Sequence, residues 1–427
     1  MSSQILRKPL YQTIAEALRE RIVTGQFRPG EKIPPIRQVA EEFNCNKLTV
    51  QKAFDRLTQQ GFIEKVVGSG SYVKYPEKIH APSGFYDFKT DYPSGSFFPY
   101  QQAQRIVNAI FDNEKEEALL PPPAEGDPEL IQILSRYYNV PAERMLIISG
   151  AQQGLDLVAK VFSAQISDSM LFEDPTYPGA LTLFKARNFV ATEEDGPQIE
   201  QLDGQLSGRI KLFYTMPAVQ NPTGTTYSAA KREAVAYRAQ RQPFYIVEDD
   251  YLGELRPDQS PRFVDICPER TIYIKSLSQT TGAGIRLGFM VVPKDLLERF
   301  IYAKFSSDIV SFGLLQKMVR DFIKGGYYQN YLQMIKDKAD WRRRRLVSLL
   351  QEFPALQLPS HQAGYSLWIK SHAPLDLPHV PWCKGEEFSF SQSYRSYFRL
   401  SFMHLDDAAF EQGIFYLQDV WRRVAAG

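Results

Sequence analysis

The sequence of 427 residues predicts a multidomain protein: a small helical head closed by a β-hairpin, a large α/β body around a mostly parallel sheet, and a smaller α+β carboxy-terminal part. Three observations carry that expectation. The chain is too long for one ordinary core. Its first 75 residues show helical periodicity followed by two short strand-like runs. From there to about residue 300, apolar runs of strand length alternate with helical stretches, the pattern of a parallel sheet covered by helices. The expected boundaries are 1–75 for the head, 76–86 for a linker, 87–300 for the large domain, and 301–427 for a long helix and the small domain.

Composition excludes several classes. Hydrophobic residues make up 44% and charged residues 23%, the balance of a globular chain rather than a disordered one. No apolar run reaches the length of a membrane-spanning helix, and the amino terminus has no signal-peptide core. Cys45, Cys267 and Cys383 are far apart and show no metal-ligand spacing, so a reducing cytoplasm is the expected compartment and no metal is expected. Residues 1–75 hold 12 Lys and Arg against 7 Asp and Glu, a net of +5, while the remainder holds 38 against 42, a net of −4. A basic head on a mildly acidic body suits a polyanion partner, although a charge of that size also occurs on ordinary soluble surfaces.

In the head, Tyr11, Ile14, Leu18 and Ile22 give one apolar helical face that Gly25 ends. A second short helix carries Ile36, Val39, Ala40 and Phe43. Asn46 is placed to cap a third, whose buried stripe is Val50, Ala53, Phe54 and Leu57. Gly61 closes it, and FIEKVVGSGSYV supplies two strands about a Gly68-Ser69-Gly70 turn. Helices joined by a three-residue turn and followed by a hairpin make a winged helix-turn-helix, whose third helix enters the major groove. Lys47, Leu48, Thr49 and Gln51 are then placed for base edges, and Arg37, Lys52 and Lys65 for phosphates. The bland alternative is a three-helix protein-binding module with solvated lysines.

In the body, the strand candidates are RMLIIS, SMLFE, IKLFYTM, PFYIVED, TIYIKS and GFMVV. Ligands of such sheets bind at the carboxyl ends of strands. There the first strand runs into Gly150-Ala151-Gln152-Gln153-Gly154 and a helix expected from Leu155, whose free N–H groups suit a phosphate. Asp249 and Tyr251 fall two residues apart at the end of PFYIVED, on one side of an extended chain. Singly, an acidic pair at a strand end is more often a solvated turn. WRRRR, Trp341 to Arg345, lies in a long helix and is expected to be a solvated face.

Taken together the motifs carry a resemblance. PLYQTIAEALRERIVTGQFRPGEKIPPIRQVAEEF, TVQKAFDRL and GFIEKVVGSGSYV resemble the GntR-type winged helix; Ile33 to Arg37 and Asn46-Lys47-Leu48 depart from its usual L-P-S-S-R and Ser-Arg. Glu173-Asp174-Pro175-Thr176-Tyr177, Asn221-Pro222-Thr223-Gly224, Asp249-x-Tyr251, Ser276-x-Ser278 and Arg286 occur in the order seen in the fold type I pyridoxal phosphate (PLP) enzymes, the aspartate aminotransferase superfamily. A GntR head on such a body resembles the MocR subfamily of bacterial regulators. The resemblance implies a PLP-transferase fold type I body with these roles: Tyr177 stacking on the pyridine ring, Asn221 and Tyr251 at its 3-hydroxyl, and Asp249 at its nitrogen. Ser276, Ser278, Arg286 and the backbone at Ala151 and Gln152 would hold the phosphate, and Arg399 an effector carboxylate. The Schiff-base lysine position of the family is Gln279 here, so no catalytic residue is expected. The body also departs at Leu119 and Leu120, where the usual phosphate-contacting tyrosine has no clear match, and at Ser366, where the subfamily commonly has histidine.

The resemblance thus implies a cytoplasmic, homodimeric, DNA-binding transcription regulator, nucleoid-associated when bound to its operator. Its body would bind PLP or a related effector noncovalently, and it would control vitamin B6 or amino-acid metabolism. An amide is not a nucleophile, so turnover through residue 279 is excluded. Two other readings stand beside it: a regulator whose body is a PLP-independent dimerisation scaffold, and an aminotransferase using another lysine, Lys275 being the nearest.

Overall fold

The computed structural model describes residues 9–23, 27, 31–59, 62–66, 69–73, 86–162, 169–185, 188–206, 210–358, 362–372 and 380–426. Two compact units divide the chain, residues 1–83 and 84–427. Gly25, Gly61, Gly68 and all of the expected linker except Tyr86 lie outside the described residues.

The head is built from α1 (Leu10–Val23), α2 (Ile36–Glu42) and α3 (Lys47–Gln59), closed by β1 (Ile63–Val66) and β2 (Gly70–Val73). Its core is the apolar set expected from periodicity, with Ile14, Leu18, Val39, Val50, Ala53, Phe54 and Leu57 all buried. Asn46 caps α3: its Oδ1 accepts from the Thr49 N–H at 2.8 Å. The wing has a third edge that periodicity does not reveal. Ile33 donates to the Ser71 carbonyl at 3.0 Å and Val73 to that of Glu31 at 2.9 Å, so the segment before α2 pairs with β2.

The body is organised around an eight-stranded sheet of β3 (Met145–Ile148), β4 (Met170–Asp174), β5 (Asn188–Glu193), β6 (Gly196–Pro197), β7 (Leu212–Thr215), β8 (Tyr245–Asp250), β9 (Thr271–Ser276) and β10 (Gly288–Val291). Its spatial order is β3-β10-β9-β8-β7-β4-β5-β6. The ladders β5–β4–β7–β8–β9 are parallel, and β10 runs antiparallel between β3 and β9. β3, β7, β9 and β10 are buried at every position, as a sheet covered on both faces requires. All six expected strands form. β5, which is partly exposed, and the two-residue edge strand β6 are not among them.

Residue 300 lies within the helix Leu297–Asp308, and the long helix is a later one, Tyr327–Leu350. A four-stranded antiparallel sheet, ordered β11 (Leu356–Gln357), β12 (Ser366–Ser371), β14 (Tyr397–Ser401), β13 (Cys383–Lys384), makes the carboxy-terminal part. The expectation that WRRRR is a solvated face is corrected in part. Arg342 is fully buried and donates to the carbonyls of Phe402 and Leu405 at 2.7 Å and to Asp407 at 2.8 Å. Arg343 caps the carbonyls of Gln362 and Gly364. Helical spacing puts Arg342 on the same buried stripe as Leu346 and Leu349, where it supplies donors to loop carbonyls. No described helix is long and apolar enough to cross a membrane.

Candidate functional site

The first turn of α4 (Ala151–Phe162) follows directly on β3 and Gly150, four residues earlier than the expected start at Leu155. This helix start leaves the N–H groups of Ala151 and Gln152 at its tip, while that of Gln153 returns to the Gly150 carbonyl at 3.1 Å. Arg286 lies across the same turn. Gly150 sits at φ +87°, and a Cβ there would come within 2.9 Å of an Arg286 terminal nitrogen, so only glycine lets the guanidinium approach. Arg286 itself has φ 50°, a left-handed conformation uncommon for a long side chain, and donates to Ser278 Oγ at 3.4 Å. Ser276 Oγ in turn accepts from the Ser278 N–H at 3.3 Å. The result is a cationic, N–H-rich turn of the kind that suits an anion.

Asp249 comes from the carboxyl end of β8. Alternation turns its neighbours the other way: Glu248 accepts from the N–H groups of Phe263 and Val264, and Asp250 from Tyr273, Lys275 and Gly253. Asp249 Oδ2 accepts from Tyr214 Oη at 2.8 Å, while Oδ1 is buried with no partner among the described residues. Burial pushes this carboxyl up to about 7, against the pull of the Tyr214 hydrogen bond. A fixed cation, such as a protonated pyridine nitrogen, is the group such an atom lacks.

Tyr177 follows β4, and its hydroxyl donates to Gln152 Oε1 at 3.4 Å, beside the cradle. A Cβ at Gly179 would meet the Tyr177 ring within 2.5 Å, so that glycine lets the ring lie back over its own turn. Asn221 belongs to a connection secured from beneath by Glu173. This fully buried carboxylate accepts from Thr215 at 2.7 Å, from Tyr227, and from Gln220, whose amide also reaches the Pro175 carbonyl at 2.6 Å. Burial pushes the Tyr251 phenol well above its ordinary value, with the charge of Asp91 next in importance. Gln279 Oε1 is buried and unpartnered among the described residues, and its backbone carbonyl accepts from Tyr365 at 3.3 Å.

Arg399, the expected fork for an effector carboxylate, has protein partners at both of its terminal nitrogens. One donates to Asn221 Oδ1 at 2.8 Å and lies 3.5 Å from Asp91 Oδ2; the other donates to the Lys89 carbonyl at 3.0 Å and approaches Cys383 Sγ at 3.7 Å. Its Nε, by contrast, is buried without a partner among the described residues. Lys275 faces away from this site, since alternation along β9 opposes it to Ser276. It is wholly buried between Asp250, at 3.2 Å, and Glu254, at 2.6 Å. Burial pulls its pKa down, but the two carboxylates outweigh that and hold the ammonium above its ordinary value.

Sequence reasoning missed Tyr214, Tyr365 and Asp91. Tyr214 is one apolar-looking position of a buried strand, and Asp91 one acidic residue of a loop, so neither stands out locally. A separate cleft of about 1010 Å³, lined by Glu194, Arg256, Lys336 and Arg343 among others, holds none of the expected site residues.

On the head, Lys47, Leu48 and Lys52 are exposed on α3, Leu48 at 74%, and Arg37 is exposed on α2. The other expected contacts are engaged within the head. Thr49 Oγ1 donates to the Asn46 cap at 2.9 Å, Gln51 Nε2 to Asp55 at 3.4 Å, and Lys65 pairs with the same Asp55. Asp55 thus ties the wing to the outer face of α3 and offsets part of the basic charge there.

An anion cradle and an unpartnered carboxylate at the carboxyl edge of a mostly parallel sheet define the body as an aminotransferase-like domain of fold type I. Residues 92–408 match the family Aminotransferase class I and II, and residues 10–73 match the bacterial regulatory proteins of the gntR family. The chain is 28% identical over 352 residues to the HTH-type transcriptional regulator YcxD of Bacillus subtilis, covering 79% of each. It is 23% identical over 461 residues to the probable rhizopine catabolism regulatory protein MocR of Rhizobium meliloti, covering 95% of this chain and 92% of the relative. Among solved structures, LysN, the α-aminoadipate aminotransferase of Thermus thermophilus complexed with N-(5'-phosphopyridoxyl)-L-leucine, superposes with a TM-score of 0.72 at 25% identity, covering 80% and 93%. The chain belongs to the aminotransferase class I and II family and, through its GntR head, to the MocR subfamily of transcription regulators.

Proposed function

We propose that the body of this regulator binds PLP or a closely related vitamer noncovalently and that occupancy alters operator binding by a dimer of the chain, in a circuit of vitamin B6 supply. The observation that carries the ligand is Asp249, a buried carboxylate with one oxygen unpartnered among the described residues, beside a phosphate cradle built from Arg286, Ser278 and the start of α4. The residues fit the group. Arg286, Ser276, Ser278 and the N–H groups of Ala151 and Gln152 would hold the phosphate; Asp249 would hold the ring nitrogen, and Tyr177, Asn221 and Tyr251 would meet the ring and its hydroxyl. PLP supplies an aldehyde and an electron-withdrawing ring, chemistry that in an aminotransferase works through a lysine amine. Here the matching position offers the Gln279 amide, and Lys275 is held protonated on the other face.

The head would read operator bases with Lys47 and Leu48 and grip phosphates with Arg37 and Lys52. The test of the ligand is a spectrophotometric titration of the full chain with PLP, followed by borohydride and denaturation. The expected result is a saturable free-aldehyde spectrum and complete release of the vitamer. Retention after reduction would place an amine in the site and refute noncovalent binding; no saturable spectrum would favour the scaffold reading.

A further inference from the structure

Asp91 is held in the site by the chain that precedes it. Asp87 folds that chain into a tight turn, accepting from the N–H groups of Lys89 at 2.7 Å and Thr90 at 3.1 Å, and from the Thr90 hydroxyl at 2.7 Å. Phe88 is fully buried, donates to the Pro381 carbonyl at 2.9 Å and accepts from Ser401 at 2.8 Å. Three residues after Asp91, Ser94 donates to the Met403 carbonyl at 2.8 Å. Asp91 is therefore pinned on both sides, with Oδ2 3.5 Å from a terminal nitrogen of Arg399 and Oδ1 buried without a partner among the described residues.

Arg399 is buried, and its terminal nitrogens meet only groups of this chain: Asn221, Asp91, the Lys89 carbonyl and Cys383; its Nε has no partner among the described residues. A carboxylate brought to this guanidinium by a ligand would face the Asp91 carboxylate across it. Two like charges sharing one buried cation repel strongly.

Resting on the PLP-site reading, we propose that Asp91 is a specificity-determining residue that acts as a built-in counter-carboxylate. It supplies the negative charge beside Arg399 from within the chain and restricts the site to phosphopyridoxyl ligands without a carboxylate. The body thereby distinguishes the vitamer itself from its amino-acid adducts.

The test uses a matched pair of stable secondary amines, N-(5'-phosphopyridoxyl)methylamine and N-(5'-phosphopyridoxyl)glycine, which differ only in the carboxylate. Their affinities for the full-length protein and for Asp91→Asn are measured by calorimetry or competition fluorescence. In the wild type the methylamine adduct should bind at least about tenfold more tightly, the least that a buried like-charge clash imposes. In Asp91→Asn the ratio should fall by about tenfold or more, toward unity or below. Equal affinities in the wild type, or an unchanged ratio in a folded variant, would overturn the proposal while leaving the PLP site standing. Binding of neither adduct would sink the site reading and the proposal with it. Should the variant fail to fold, the wild-type ratio decides alone.

Discussion

Replacing Asp249 by asparagine tests the electrostatics of the ligand-free site directly. The folded protein pushes this carboxyl from an ordinary 3.8 to about 7, chiefly by burial. Between those two pH values the folded state holds a proton that the unfolded chain has released. Stability therefore falls as pH rises through the window and levels off above about 7. A difference of about three on the pH scale corresponds to a penalty on the order of 4 kcal/mol above the window. Asparagine keeps an oxygen for Tyr214 and removes the charge, but buries an amide N–H without an acceptor, a cost of about 1–3 kcal/mol at every pH. The variant should accordingly be the less stable protein at pH 4 and the more stable one at pH 8. Glu248, also pushed up to about 7, is present in both proteins and cancels in the comparison. Urea unfolding followed by tryptophan fluorescence is a suitable assay, because Trp341, Trp368, Trp382 and Trp421 all lie in the body and the head has no tryptophan. A stability difference that stays flat from pH 4 to 8, or a wild type more stable at pH 8, would refute the assignment of Asp249 as a carboxylate kept charged at a cost. The same variant should lose affinity for PLP, since an amide offers no counter-charge to a protonated ring nitrogen.

Arg286→Ala should weaken PLP roughly 10- to 100-fold, the worth of charged hydrogen bonds to one phosphate, with no effect on the body's melting beyond about 1 kcal/mol; an unchanged affinity by titration would remove it from the cradle. Lys47→Ala should alter base preference in a selection from random DNA, whereas Arg37→Ala should weaken all sites alike and flatten the salt dependence; identical shifts in both variants would contradict the division of roles. PLP and operator DNA should change each other's affinity by the same factor, within roughly 5- to 150-fold, in paired titrations; saturable PLP binding with no effect on the operator would turn the body into a scaffold.

Periodicity carried the head and all six principal strands because both depend on local burial patterns, which the sequence displays directly. It also brought Asp249 to the correct end of its strand: alternation alone separates it from Glu248 and Asp250. What escaped were matters of partnership. Asn46 is legible as a cap, yet nothing near Lys65 says that it has a partner inside the head, because its pairing with Asp55 joins wing to helix. The arginine run looked solvated because charge is a local property, whereas the carbonyls that bury Arg342 come from residues 402 and 405. Asp91 is the extreme case. Its meaning depends on a residue 308 positions later in the chain.

The departures at the site bear on one physical property, the reversibility of binding. On the proposed reading, the family's covalent handle is replaced by the Gln279 amide, the charge of Arg399 is countered by Asp91, and the nearest other lysine is locked between Asp250 and Glu254. On the same reading, Asp249 for the ring nitrogen and the Arg286 cradle for the phosphate remain. Binding energy then comes from charge and hydrogen bonds alone, so the ligand leaves when its free concentration falls. That is the condition under which occupancy can report a metabolite level, because an equilibrium shifts only by the difference in free energy the ligand has for two states. A covalent bond to the protein would slow release and decouple occupancy from supply. Restoring an amine with Gln279→Lys should therefore slow vitamer release after dilution, measured by stopped-flow absorbance, and blunt the response of operator binding to falling PLP. Equal release rates in the two proteins would show that the amide at position 279 does not set reversibility.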